Sequence, residues 1–132
     1  TAEVFPVGCT KFVPLIEGEN FNSAELKEAV AEYAAPLKKA GVDALILSCT
    51  HYPFIKEQIE KELGAGVTVI DPAEATSRLA IQVLHEAGLA KTAGEGKVTV
   101  CATADIERVQ RLAKRMLPLE DCEFKEISLA LK

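Results

Sequence analysis

Two short apolar runs constrain this chain more than any other feature. Residues 42–48 follow Gly41 and residues 67–70 follow Gly66, and each run leads into a helix-start signal. After the first run comes Pro53, a residue suited to the first turn of a helix. After the second come Asp71, Pro72 and Glu74, a cap, a first-position proline and an acid at the third position. Brief apolar runs of this kind match parallel strands covered on both faces. A parallel pair needs a crossover of a dozen or more residues, usually a helix.

The rest of the chain fits that frame. Ser23 suits a helix N-cap, and Leu26, Ala29, Val30, Tyr33, Ala34 and Leu37 recur at helical spacing. Pro36 is expected to kink or divide this helix, and Gly41 to end it. Residues 1–22 read as extended or loop-like, because Pro6, Gly8, Pro14, Gly18 and Asn20 interrupt every helical pattern there. A second helix is expected over 54–63 and a third from Asp71 to about Glu86, stopped by Gly88. A small polar linker spans 90–96. Residues 97–101 read as a strand, 106–116 as a helix with Val109, Leu112 and Ala113 on one face, and 124–129 as a last, edge strand. Strand–helix alternation of this kind predicts an α/β fold, a mostly parallel sheet flanked by helices.

Charge and cysteine content narrow the function classes. Fifteen basic and twenty acidic residues give a net charge of -5, with no basic patch of the kind nucleic-acid binders carry. The apolar runs are strand-sized, so no membrane span is expected, and no secretion signal is expected either. The four cysteines, Cys9, Cys49, Cys101 and Cys122, form no Cys-x-x-Cys pair, and two histidines do not complete a zinc pattern. The expectation is a cytoplasmic chain with four reduced thiols, no metal and no cofactor.

Ser48-Cys49-Thr50-His51-Tyr52-Pro53 is the segment that carries chemistry. It lies where a strand ends and a helix is expected to begin, the position at which α/β sheets bind ligands. A helix N-terminus offers free N–H groups and partial positive charge, and both favour a thiolate. His51 is near enough to steer a proton, and Thr50 offers a hydroxyl and an N–H to a carboxylate. On these residues alone, a core thiol and a functional thiol both remain open for Cys49. Cys101 has similar strand-end placement but no histidine beside it and reads as core. Asp71 reads as a helix cap. Arg108, Arg111, Lys114 and Arg115 read as a solvated helix face.

The segment around Cys49 resembles the second cysteine motif of bacterial glutamate racemases, Gly-Cys-Thr-His-Tyr-Pro, with Ser48 in place of the glycine. Phe12-Val13-Pro14-Leu15-Ile16-Glu17 resembles that family's Phe-Val-Pro-Leu-Ile-Glu stretch, although Gly8-Cys9-Thr10-Lys11 departs from its Ala-Cys-Pro. Val69-Ile70-Asp71-Pro72-Ala73 resembles its Ile-Asp-Pro segment. The three motifs stand in the family's order, and the resemblance weakens after Gly88.

The resemblance implies a cofactor-independent, two-thiol racemase of glutamate. Cys49 and His51 take catalytic positions, while Thr50, His51 and Glu17 take substrate-binding ones. The family's Asp-Ser and its Cys-Asn-Thr around the partner cysteine are missing, so the chain resembles the C-terminal half only. Residues 1–70 then form the second lobe, and 71–132 the segment that returns to an absent first lobe. The isolated half is expected to be inactive, and the parent a cytoplasmic homodimer supplying D-glutamate for peptidoglycan. An aspartate or hydantoin racemase of the same superfamily, or a non-catalytic carboxylate-binding fragment, are the alternatives. If the helix N-terminus and the site donors support a thiolate at Cys49, this residue alkylates faster than the other three cysteines at neutral pH. Peptide mapping after brief iodoacetamide treatment checks this, and equal labelling counts against it.

Overall fold

The computed structural model describes residues 2–118 and 122–129. The chain divides into two compact units, Thr1–Leu89 and Ala90–Lys132. The first unit contains helix α1 (Phe12–Glu17), helix α2 (Ala24–Ala40), strand β1 (Ala44–Ile46), a 3-10 turn (Tyr52–Ile55), helix α3 (Lys56–Leu63), strand β2 (Thr68–Ile70) and helix α4 (Ala73–Glu86). The second contains strand β3 (Val98–Ala102), helix α5 (Ile106–Met116) and strand β4 (Cys122–Glu126).

Each unit holds one parallel strand pair, as the alternation of strands and helices predicts. In the first, Ala44, Leu45 and Ile46 stand opposite Thr68, Val69 and Ile70. The flanking bonds run from the Thr68 N–H to the Asp43 carbonyl and from the Leu47 N–H to the Ile70 carbonyl, each 2.9 Å. The crossover passes through the 3-10 turn and α3. In the second unit β3 pairs with β4 from Val98 opposite Cys122 to Ala102 opposite Glu126, and α5 makes the crossover. The last strand begins two residues earlier than the 124–129 expected, because register with β3 rather than local alternation sets its ends.

Helix α2 begins and ends as its sequence dictates. The Ser23 hydroxyl accepts from the Leu26 N–H at 3.1 Å. Gly41 takes the left-handed conformation, φ 68°, that lets its own N–H reach the Lys38 carbonyl and the Val42 N–H reach that of Leu37. Pro36 does not divide the helix, contrary to expectation. It lies on the exposed side near the C-terminal end, so the one carbonyl it orphans remains open to water.

Residues 1–22 are not uniformly irregular. Phe12–Glu17 is helical, with Pro14 at its third position, where an N–H has no intrahelical partner in any case. A helix this short has little stability of its own. It is held by Phe12 and Ile16, four residues apart on one face and both buried, Ile16 completely. The Phe12 ring meets Tyr33 and Tyr52 edge-on at 5.0 and 5.3 Å.

Among the described residues, the buried apolar ones lie between Phe12 and Val69, contributed by α1, α2, Leu47, the 3-10 turn, α3 and β2. By contrast α4 buries none of its residues. Its start does follow the sequence reading, because Asp71 accepts from the Ala73 N–H at 2.9 Å. Cys101 is exposed rather than core. Val100 stands opposite Phe124 and Cys101 opposite Lys125. Phe124 lies under Lys114 of α5, so alternation turns Cys101 to the face that α5 leaves open.

Leu26 is fully buried in the α2 contact layer. Leu26→Ala is expected to lower unfolding free energy by about 2–5 kcal/mol, read from urea titration. A change under about 1 kcal/mol places the core elsewhere.

Candidate active site

The carboxyl end of β1 releases the chain into a tight turn. Leu47 is the last residue bonded to the sheet, and it is buried. Beyond it the Tyr52 N–H donates to the Cys49 carbonyl at 3.2 Å, and the Phe54 N–H to the His51 carbonyl at 3.1 Å. Pro53 does not open α3 directly. The 3-10 turn Tyr52–Ile55 intervenes and α3 begins at Lys56. The donors nearest Cys49 therefore belong to a single 3-10 turn, and the α-helical N-terminus lies further along the chain than expected.

The turn gathers the residues singled out in the sequence. Cys49 Sγ is 4.0 Å from His51 Nδ1, and Thr50 Oγ1 is 3.5 Å from the same nitrogen. On the other side of the ring, His51 Nε2 lies 3.1 Å from Glu17 Oε1. Glu17 is the last residue of α1, so a carboxylate 34 residues distant in sequence fixes the imidazole. With Nε2–H donating to that carboxylate, Nδ1 is the nitrogen presented to the thiol. Cys49 and His51 are half-buried and Thr50 is exposed. A base held by a carboxylate and facing a thiol is an arrangement that can take up and return the thiol proton.

Two neighbours did not stand out in the sequence. Tyr52 donates its hydroxyl to the Cys9 carbonyl at 3.4 Å. Cys9 Sγ in turn donates to the Val7 carbonyl at 3.6 Å. Burial pushes the Cys9 thiol up from its ordinary value. The Tyr52 hydroxyl opposes this and the charge of Cys49 adds to it. Burial also raises Tyr52, with Cys9 and Cys49 adding to the effect. No local motif marks these contacts, since Tyr52 and Cys9 are 43 residues apart.

A cavity of about 910 Å³ opens beside β1, lined by Phe5, Cys9, Tyr33, Leu45, Ser48 and Tyr52 among others. Cys49, Thr50 and His51 are not part of its lining. This space is an apolar groove along the strand that reaches the residues flanking the site turn, Ser48 and Tyr52.

Fold and site together describe an α/β chain with a thiol and a carboxylate-held histidine at the carboxyl end of a parallel strand. A family model described as Asp/Glu/Hydantoin racemase matches residues 4–80. The glutamate racemase of Carnobacterium sp. (strain St2) is 35% identical over 131 residues, 97% of this chain and 49% of that protein. That of Carboxydothermus hydrogenoformans is 39% identical over 127 residues, 96% of this chain and 47% of that protein. Among solved structures, the glutamate racemase isoform RacE1 from Bacillus anthracis superposes with a TM-score of 0.84 at 29% identity, covering 94% of this chain and 46% of that one. The glutamate racemase from Francisella tularensis in complex with D-glutamate gives 0.82 at 29% identity, covering 92% and 46%. The chain belongs to the Asp/Glu/Hydantoin racemase family, and it spans less than half the length of each of these relatives.

The Tyr52 hydroxyl opposes the upward push of burial on the Cys9 thiol. Tyr52→Phe keeps the ring against Phe12 and removes this donor. Cys9 is then expected to titrate still higher, so its alkylation at pH 9 slows. An unchanged Cys9 rate argues that the hydroxyl serves the carbonyl alone.

Proposed function

We propose that this chain is the Cys-Thr-His half of a cofactor-independent glutamate racemase, interconverting L- and D-glutamate by proton transfer between two thiols. One observation supports this above the rest. Cys49, His51 and Glu17, far apart in part along the sequence, line up at the carboxyl end of β1. The thiolate of Cys49 removes or returns the α-proton on one face of glutamate. His51 shuttles the thiol proton and Glu17 keeps its ring in place. Thr50 offers its hydroxyl and N–H to the substrate carboxylate. The α-proton is weakly acidic, so the carbanion requires a closed, dry cleft with donors aimed at the developing charge.

Inversion requires a second acid on the opposite face of Cα. None of Cys9, Cys101 or Cys122 carries the Asn-Thr that follows the partner cysteine in the resemblance. The relatives are about twice as long, and on this reading their other half supplies that thiol. The exposed Leu79, Ile81, Val83 and Leu84 of α4 fit a segment, 71–132, that packs against the other lobe. The names of the relatives favour glutamate over aspartate or hydantoin as substrate. D-glutamate for peptidoglycan, made in the cytoplasm by a homodimeric parent, is the role this reaction suggests.

The 132 residues alone are expected not to racemise glutamate, as followed by polarimetry. In a full-length racemase carrying this half, Cys49→Ser is expected to abolish racemisation in both directions, by about 10²-fold or more. His51→Asn there lowers kcat more than it changes KM, because proton handling acts on the transition state. Interconversion by the isolated chain, or wild-type racemisation with serine at position 49, overturns the two-thiol assignment.

A further inference from the structure

The acid–base site leaves one nearby thiol unused. Cys9 is a free, half-buried cysteine just before α1. Tyr52 ties it to the turn that carries Cys49, because its hydroxyl donates to the Cys9 carbonyl while its backbone N–H donates to the Cys49 carbonyl. Cys9 also shares the walls of one cavity with Ser48 and Tyr52, residues on either side of Cys49 in the same turn. The charge of Cys49 is felt at Cys9. One tyrosine thus hydrogen-bonds the backbone carbonyls of two residues that both carry free thiols, the starting point for a dithiol pair.

We propose that Cys9 is the resolving thiol of Cys49, so that hydrogen peroxide converts this site to an intramolecular Cys9–Cys49 disulfide. The two thiols play different parts. His51 Nδ1, 4.0 Å from Cys49 Sγ, takes up the proton of Cys49, and the thiolate is the form that attacks peroxide. Cys9 donates to the Val7 carbonyl, and burial with the adjacent Cys49 charge outweighs the Tyr52 hydroxyl and holds it as the thiol. Cys49 is therefore the sulfur oxidised first.

Both steps balance. The Cys49 thiolate attacks one peroxide oxygen, the O–O bond breaks, and the other oxygen leaves as hydroxide and is protonated to water. Cys49 is then a sulfenic acid. The Cys9 sulfur attacks the Cys49 sulfur, the S–S bond forms as the S–O bond breaks, and the hydroxyl departs with the Cys9 proton as a second water. The two thiols lose two electrons and the peroxide gains them. A dithiol reductant reverses the change by exchange. The bond requires Cα atoms within about 7 Å of each other, so the cross-link also measures how closely the two segments approach. If the racemase reading holds, the disulfide removes Cys49 from proton transfer and makes the activity reversibly sensitive to peroxide. The bond itself does not depend on that reading.

Trypsin separates the four cysteines into different peptides, with Cys9 in 1–11, Cys49 in 40–56, Cys101 in 98–108 and Cys122 in 116–125. The chain is treated with a small excess of hydrogen peroxide, alkylated, digested without reductant and mapped by mass spectrometry. The expected product is peptide 1–11 joined to peptide 40–56, two hydrogens lighter than the pair, in a species that runs as a monomer and is lost on adding dithiothreitol. In Cys9→Ser, dimedone is expected to trap Cys49 as the sulfenic acid. The wild-type map decides the matter even if that variant does not fold. Peptide 1–11 recovered fully alkylated overturns the proposal, as does Cys49 joined to Cys101 or Cys122, or a link found only in dimers. Loss of the cross-link leaves the racemase reading standing, and failure of racemisation leaves the cross-link standing.

Discussion

Three registered residue pairs hold β1 parallel to β2, and a parallel pair cannot close through a tight turn. The chain leaving Ile46 must travel back to the start of β2 before it can pair again. That return is made by the 3-10 turn and α3, anchored by the buried Ile55, Ile59 and Leu63. Leu47 is clamped to the Ile70 carbonyl, so the first residues free to turn are Ser48 and Cys49. The thiol stands at the carboxyl edge of the strand because the crossover has nowhere else to begin. This is the position where α/β sheets gather ligands, and here it follows from hydrogen-bond register alone.

The imidazole beside that thiol depends on a different element. Glu17 reaches His51 from the end of α1, a helix of only six residues. Such a helix is not sustained by its backbone bonds. It is sustained by burying Phe12 and Ile16 and by the edge-on contacts of Phe12 with Tyr33 of α2 and Tyr52 of the site turn. Apolar packing thus sets where a carboxylate lies, and the carboxylate sets which ring nitrogen faces the thiol. The electrostatics of the site rest on its aromatic cluster, because rotation or loss of α1 releases the histidine.

What the sequence disclosed follows from how local each signal is. Cys49, Thr50 and His51 are neighbours in the chain, so their grouping was legible from one segment. Glu17 came only with the family resemblance, since its contact with His51 spans 34 residues. The helix that positions it was hidden by Pro14 and Gly18, which read as breakers. Pro14 in fact occupies a first-turn position, and Gly18 follows the last helical residue. No motif marks Cys9, and its approach to the site turn through Tyr52 is tertiary. The 3-10 turn after Cys49 was read as a helix start because Pro53 suits both. Cys101 was read as core from strand placement, which gives alternation but not which face is covered. The strand pairs were legible because apolar runs between glycines and helix starts leave few other structures open.

The distribution of buried surface reaches beyond these residues. Among the described residues the buried apolar ones end at Val69, yet the pattern of an amphipathic helix continues through α4, where Leu79 precedes Val83 and Ala80 precedes Leu84 by four residues each. Leu79 is 60% exposed and Ile81 56%. A helix of this length draws most of its stability from an apolar face packed on a neighbour. Such a face left unburied is what the proposed half-racemase reading predicts for α4. The same holds for the chemistry proposed here, because one thiol addresses one face of a tetrahedral carbon and inversion needs a group on the other. The relatives are about twice the length of this chain. On that reading a single addition completes both, since the lobe that covers α4 is also the lobe that closes the cleft over Cys49.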